Sequence, residues 1–160
     1  MKVLLATMPQ TGTVQWIGLR PGRREAMNVV EQAIAGDQGL VGDRFDGKSD
    51  APRMVTLIQK EHLDVIAGIM HCGEVDPALL RRNIVVSGIN LIALKQAEFQ
   101  IGDAILKGTG SCPPCSRMEE NLGAGGYNAM RGHGGITASV VNGGTIRCGD
   151  QVSLIGSSNG

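Results

Sequence analysis

The sequence predicts a mainly β domain with a few short helices, built as a closed or partly open barrel. Three observations point there. β-type runs recur along the chain, at residues 13–19, 54–58, 84–87, 99–101, 104–106, 136–141 and 152–155. Twenty-four glycines fall largely between them, and turn-forming groups such as Asn142-Gly143-Gly144 and Gly149-Asp150 separate the later runs. Helical periodicity is confined to two short places. Many short strands with frequent turns favour a barrel or sandwich over a doubly wound sheet.

Each element has a local cause. The runs at 13–19, 54–58 and 136–141 are rich in Val, Ile and Thr, whose branched side chains suit a pleated surface. Residues 60–70 carry Leu63, Ile66, Ala67 and Met70 at helical spacing, which gives one apolar stripe. Asp76-Pro77 opens a second short helix through Leu80-Arg81, with Asp as cap and Pro at the first position. A single domain over residues 1–155 follows, and the Ser/Asn/Gly-rich residues 156–160 read as a flexible tail.

The totals exclude several classes. At 160 residues the chain can bury a core without metal or disulfide staples. Fifteen basic residues balance fifteen acidic ones, so no global field attracts nucleic acid or an anionic membrane, although a local basic pocket is compatible with the balance. Four aromatic residues, Trp16, Phe45, Phe99 and Tyr127, are too few for a base-stacking platform. No segment approaches membrane-spanning length, and the opening run before Pro9 is too short for a signal peptide. The default location is the cytoplasm, where four cysteines read as metal-binding, catalytic or buried groups. Cys72 and Cys148 look like ordinary helix-end and strand-turn residues.

"GDRFDGKS", residues 42–49, matches the phosphate-loop pattern letter for letter. Its flanks do not: only Leu40-Val41 precedes Gly42, and a β-branched run rather than a helix follows the lysine. The match is a coincidence within a turn-rich loop. Asp43, Asp46 and Asp50 lack the bidentate Glu of a calcium loop, so they read as solvated turn carboxylates.

"GSCPPCSRMEE", residues 110–120, carries the most chemistry. Cys112 and Cys115 are followed by Ser116-x-x-Glu119, a capping-box pattern that announces a helix. Cys115 then precedes a helix N-terminus, where unpaired N–H groups favour thiolate, and Arg117 either adds positive charge nearby or points into water. Four readings compete. A zinc site needs further ligands, and Cys72, Cys148, His62 and His133 are scattered. A dithiol redox pair belongs after the first strand of an α/β unit, whereas this pair lies late among β-runs. The third reading is a reactive Cys115 serving as sulfur carrier or soft-metal ligand, with Cys112 as helper. The fourth is a pair of buried small residues at a strand end.

Two neighbouring segments bear on the choice. "GAGGYNAMRGHGGI", residues 123–136, places Asn128, Arg131 and His133 in a flexible glycine-rich loop, with Arg supplying a forked donor for phosphate or carboxylate. Simple turn geometry and a solvated His133 are the plainer alternative. "LLRRNIVVSGINL", residues 79–91, sets two arginines and Asn83 at a helix–strand junction, as an anion-facing rim or a solvated helix end.

Taken in order, "TVQWIGLRPGRRE", "GLVGDR", "RMVTLIQKEHL", "RRNIVVSGINL", "IGDAIL", the cysteine segment and "GGTIRCGDQV" resemble the molybdenum cofactor sulfurase C-terminal (MOSC) domain over nearly the whole chain. Phe45 follows "GDR" where many relatives carry His. The resemblance implies a MOSC-type β-barrel that binds molybdenum cofactor (molybdopterin). It implies Cys115, assisted by Cys112, as metal ligand or persulfide carrier, and reduction of N-hydroxylated compounds or cofactor sulfuration as the activity. Arg81 and Asn83 match the region expected to hold the pterin. With Arg44, Asn128, Arg131 and His133 they form the expected cofactor-binding set. A thiolate suits the soft metal and its dithiolene sulfurs. No flavin, haem, iron–sulfur or desulfurase motif is present. A separate electron-transfer or desulfurase partner is therefore implied. The alternative from another class is a non-enzymatic carrier that hands on the cofactor.

Overall fold

The computed structural model describes residues 1–22, 24–44 and 54–157. Most of the phosphate-loop match, with Phe45, Asp46 and Asp50, lies outside them. The elements in chain order are α1 (Lys2–Ala6), β1 (Gly12–Leu19), β2 (Asn28–Val30), β3 (Gln32–Gly36), β4 (Gly39–Leu40), β5 (Val55–Gln59), α2 (Lys60–Ile69), β6 (Ile84–Ser87), β7 (Ala97–Ile101), β8 (Ala104–Ser111), α3 (Ser116–Leu122), α4 (Gly126–Met130), β9 (Ile136–Asn142), β10 (Gly144–Arg147) and β11 (Gln151–Ser157). Two 3-10 turns, Pro77–Leu80 and Leu91–Leu94, flank β6.

Seven strands close a barrel in the order β11-β7-β8-β9-β5-β6-β1, and β1 returns to β11 through Gly12 and Thr13. β2 adds to the free stretch of β1, and β10-β3-β4 form a small second sheet. All barrel pairings are antiparallel except β5 with β6. That parallel pair requires a crossover, and α2 with the following 3-10 turn supplies it.

Period-two alternation sorts the strands' side chains between two cores. Val55 and Leu57 of β5, with Ile84 and Val86 of β6, fill the barrel interior beside Phe99, Leu106, Ile136 and Val152. Ile58 and Val85 point outward into a second cluster, where Leu63, Ile66 and Ala67 of α2 meet Leu80, Met118 and Met130. In β1, Val14 and Ile17 both face the interior although three residues apart. The ladder to β6 slips between Val14 and Trp16, and this bulge restores the inward phase.

The expected helix at 60–70 is α2, and the Asp76-Pro77 start is a 3-10 turn in which Asp76 Oδ1 accepts from the Ala78 N–H at 3.0 Å. Three expectations need correction. The Ser116/Glu119 capping box does not form: Cys115 is the N-cap residue, and no side-chain cap bond is made. Glu119 instead accepts from the N–H groups of Gly125 and Tyr127, both at 3.0 Å, and so caps α4. Residues 123–136 are not a flexible loop throughout, because α4 buries Ala129 and Met130 there. Gly156 and Ser157, expected in a flexible tail, pair with Glu98 and Ala97 as part of β11.

Candidate functional site

Three loops meet at one end of the barrel, and Arg82 joins them. The side chain is buried, with 6% exposure. Its Nε donates to Gly134 O at 2.8 Å and its Nη1 to Leu80 O at 2.9 Å. Its Nη2 reaches the carbonyls of Cys112 and Pro113, each at 3.3 Å. The planar fork of a guanidinium can serve several carbonyls in fixed directions, which an ammonium cannot do in the same way. The cysteine segment after β8 is thereby tied to the β9 entry and to the turn before β6. Gly134 has its own part: a Cβ there would run into the Cys112 carbonyl oxygen. The Cys112 N–H closes the junction on Gly135 O at 2.8 Å.

A second network lies beneath it. Asp43, whose side chain is fully buried, forms a bidentate pair with Arg20: Nε to Oδ1 at 3.1 Å and Nη2 to Oδ2 at 2.9 Å. Its Oδ1 also accepts from the Arg20 N–H at 2.7 Å and from Asn83 Nδ2 at 3.0 Å. Asn83 is fully buried; its Oδ1 accepts from the Thr56 N–H at 3.1 Å and its Nδ2 donates to Gly18 O at 3.0 Å. These bonds occupy the whole amide. The "GDR" and "RRN" motifs are thus one buried polar network, in which Asp43 and Asn83 orient the loops and Arg20 faces outward from them.

The two networks support a cavity of about 520 Å³ lined by Arg20, Arg44, Arg81, Arg82 and Arg117, with Cys112, Cys115 and backbone or apolar groups between them. No acidic side chain is among the described residues lining it. A chain of zero formal charge therefore sets five arginines around one concavity. Arg81 stands out by its backbone. Its backbone is left-handed, φ 60°, a conformation that costs a residue other than glycine roughly 1 kcal/mol or more. Its Nη2 donates to Gly22 O at 3.1 Å and its Nη1 to Glu25 O. Burial and then the like charges of Arg20 and Arg117 pull its pKa below the ordinary arginine range, while Asp43 and Glu25 oppose that shift. A bound anion would relieve the repulsion.

The two cysteines stand differently toward this cavity. Cys112 is buried and Cys115 is exposed, and none of the four cysteines is in a disulfide. Cys115, in extended conformation at φ −119°, presents its residue to the cavity just before α3. An accessible thiol beside several guanidinium groups can ligate a soft metal or take part in sulfur exchange.

Of the residues expected from sequence, Cys115, Cys112, Arg81 and Arg44 come together here. Asn83 lies behind the wall, and Asn128, Arg131 and His133 do not line the cavity. The exposed Arg131 Nη1 reaches Asn128 Oδ1 at 3.3 Å. His133 sets its ring 5.2 Å from that of His62, and its Nδ1 lies 3.1 Å from Ala129 O. The segment serves the site through the Gly134 carbonyl. Sequence reasoning missed Arg20 and Asp43 as partners, because their pairing spans 23 residues and no local pattern announces it. Among the described residues no three His, Cys, Asp or Glu side chains gather as a metal-binding group, so the zinc alternative has no donor set there.

Comparisons with known proteins agree with this architecture. The YuaD protein from Bacillus subtilis superposes with a TM-score of 0.80 at 18% identity, over 94% of this chain and 99% of that one. YiiM from Geobacillus stearothermophilus gives 0.70 at 16% identity, over 90% and 75% of the two chains. YiiM from Escherichia coli gives 0.68 at 17% identity, over 89% and 69%. A search of curated proteins finds no match. No described helix is long and apolar enough to cross a membrane. Residues 42–153, which run from the "GDR" loop through the cysteine segment to β11, match the MOSC domain family, and the chain belongs to that family.

Proposed function

We propose that the arginine cavity holds molybdenum cofactor, with Cys115 as the protein ligand of the metal. The observation that carries this reading is an exposed cysteine on the wall of a five-arginine cavity that has no acidic side chain among the described lining residues. The donor set fits the group. A thiolate is soft enough for molybdenum already bound by dithiolene sulfur, and guanidinium forks match a phosphate. Arg20, Arg44, Arg81 and Arg117 would hold the anionic groups, while Arg82 and Asp43 keep the loops in place. When bound, the cofactor supplies oxygen-atom and two-electron chemistry, which suits reduction of N-hydroxylated compounds.

The chain's own contribution is binding and orientation. Arg82 fixes the backbone around Cys112 and Pro113, so Cys115 meets the cavity from a defined direction. The bidentate Asp43 pair leaves Arg20 with a set orientation before any ligand arrives, and preorganisation of this kind lowers the ordering cost of binding. In this reading electrons would come from a separate donor protein.

Sulfur carriage through Cys115 is the second reading, favoured by the same exposure of that cysteine. The two separate in one experiment. Protein isolated from a host that makes molybdenum cofactor is assayed for turnover of an N-hydroxylated base with a reductase partner, and for cyanide-releasable sulfur on Cys115. Turnover without such sulfur supports the reductase. Releasable sulfur that passes to an acceptor, without turnover, supports the carrier. Absence of both in protein that retains the cofactor leaves the non-enzymatic carrier.

A further inference from the structure

Cys112 and Cys115 line the same cavity, but the chain between them is straight. Residues 112–115 make neither a turn nor a bend. Cys112 and Pro113 each precede a proline, which holds their backbone extended, and Cys115 is itself extended at φ −119° and ψ 173°. At about 3.1 Å per residue of such backbone the two Cα atoms stand roughly 9 Å apart, whereas a disulfide needs them within about 7 Å.

Both ends of this segment are anchored. The Cys112 N–H donates to Gly135 O at 2.8 Å, and its carbonyl accepts from Arg82 Nη2 at 3.3 Å. At the far end the Cys115 carbonyl accepts from the Met118 N–H at 2.9 Å as α3 begins, and Asn121 Nδ2 ties that helix to Leu79 O at 2.8 Å. The pair therefore lacks the reach of a dithiol switch, and the buried Cys112 gives no second sulfur to an oxidised Cys115. A disulfide at the exposed Cys115 takes its other half from outside the chain. The arginines around the cavity select an arm that carries carboxylates.

We infer that Cys115 is a site of reversible mixed-disulfide formation with a carboxylate-bearing small thiol of the glutathione class, whose carboxylates lie among Arg20, Arg44, Arg81 and Arg117. The oxidant is the disulfide form of that small thiol. The Cys115 sulfur attacks one of its two sulfurs, a new S–S bond forms, and the old one breaks with its electron pair on the departing thiolate. The proton given up by Cys115 is balanced by the one that the departing thiolate takes up. Excess free thiol runs the exchange backwards. The adduct occupies the same thiol and arginines as the proposed cofactor and so regulates that site; the inference rests on reading the cavity as an anion site.

The test exposes the reduced full chain, made in a host without molybdenum cofactor, to oxidised glutathione or to cystamine and follows each cysteine by peptide mass spectrometry. The first disulfide is anionic and the second cationic. Cys72, exposed and outside the cavity lining, is the internal reference. We expect the preference for oxidised glutathione over cystamine to be roughly tenfold larger at Cys115 than at Cys72, and to shrink in high salt and in Arg117→Ala. Equal preference at the two cysteines, an unreactive Cys115, or a Cys112–Cys115 disulfide overturns the inference. Molybdenum content is measured separately, on chain from a host that makes the cofactor. The charge preference at Cys115 in a chain that never retains molybdenum refutes the cofactor assignment and upholds the exchange site.

Discussion

The guanidinium of Arg82 and the carbonyl of Cys112 lie 3.3 Å apart, although thirty residues separate them in sequence. Through this contact and those to Leu80, Pro113 and Gly134, a buried cation sets the position of the cysteine segment. Arg82→Met would leave those carbonyls without their donor. We expect a loss of about 3 kcal/mol in urea unfolding. Arg82→Lys should recover little of it, since one ammonium cannot reach all the same acceptors.

Asp43 gives a second test of the scaffold beneath the cavity. Its buried carboxylate is the shared acceptor for Arg20 and Asn83. Asp43→Ala strands both donors and is expected to cost about 3 kcal/mol. The same variant should also weaken pyrophosphate binding, because Arg20 loses its fixed orientation. Unchanged stability by denaturant titration would contradict the network.

Glu119 links pH to the packing of α3 against α4. The N–H groups of Tyr127 and then Gly125 hold its carboxyl below the ordinary glutamate value of 4.5. The folded state therefore binds its proton less readily than the unfolded chain. The contribution is complete above the unfolded pKa and is lost as pH falls through the lower folded one. Glu119→Gln should lower stability at neutral pH and flatten the acid side of a stability-versus-pH curve, the two proteins converging at the acid end.

His62 acts at a higher pH in the same direction. Burial, followed by the nearby His133, lowers its pKa from 6.5, and Glu61 opposes the shift only in part. The unfolded chain takes up this proton first, so stability declines as pH falls below about 6.5. His62→Gln should remove that portion of the decline, as read by thermal unfolding between neutral and mildly acidic buffer.

Much of the barrel was legible because its buried positions are large and branched. Residues 84–87 and 136–141 announce themselves through Ile, Val and Thr, and both are strands of the barrel. β3 is hidden for the converse reason: its core-facing residues are Ala33 and Ala35, while Ile34 is 54% exposed. Alanine carries little strand signal. β10 has only Ile146 in the core and is bordered by glycine. Of the residues singled out from motif and chemistry, Cys115, Arg81 and Arg44 line the cavity. Asn128, Arg131 and His133 stand outside that lining because of α4, a five-residue helix with glycine at its start, whose N-terminus is satisfied by Glu119. Local sequence offers no sign of a cap supplied from the preceding helix.

The most direct test is the molybdenum and pterin content of the chain purified from a host that makes the cofactor, for wild type and Cys115→Ser, with circular dichroism to confirm folding. We expect wild type to carry both near stoichiometrically and Cys115→Ser to lose the metal while its spectrum is unchanged. Wild type devoid of molybdenum, or a serine variant that retains it undiminished, would contradict the assignment of Cys115 as the ligand.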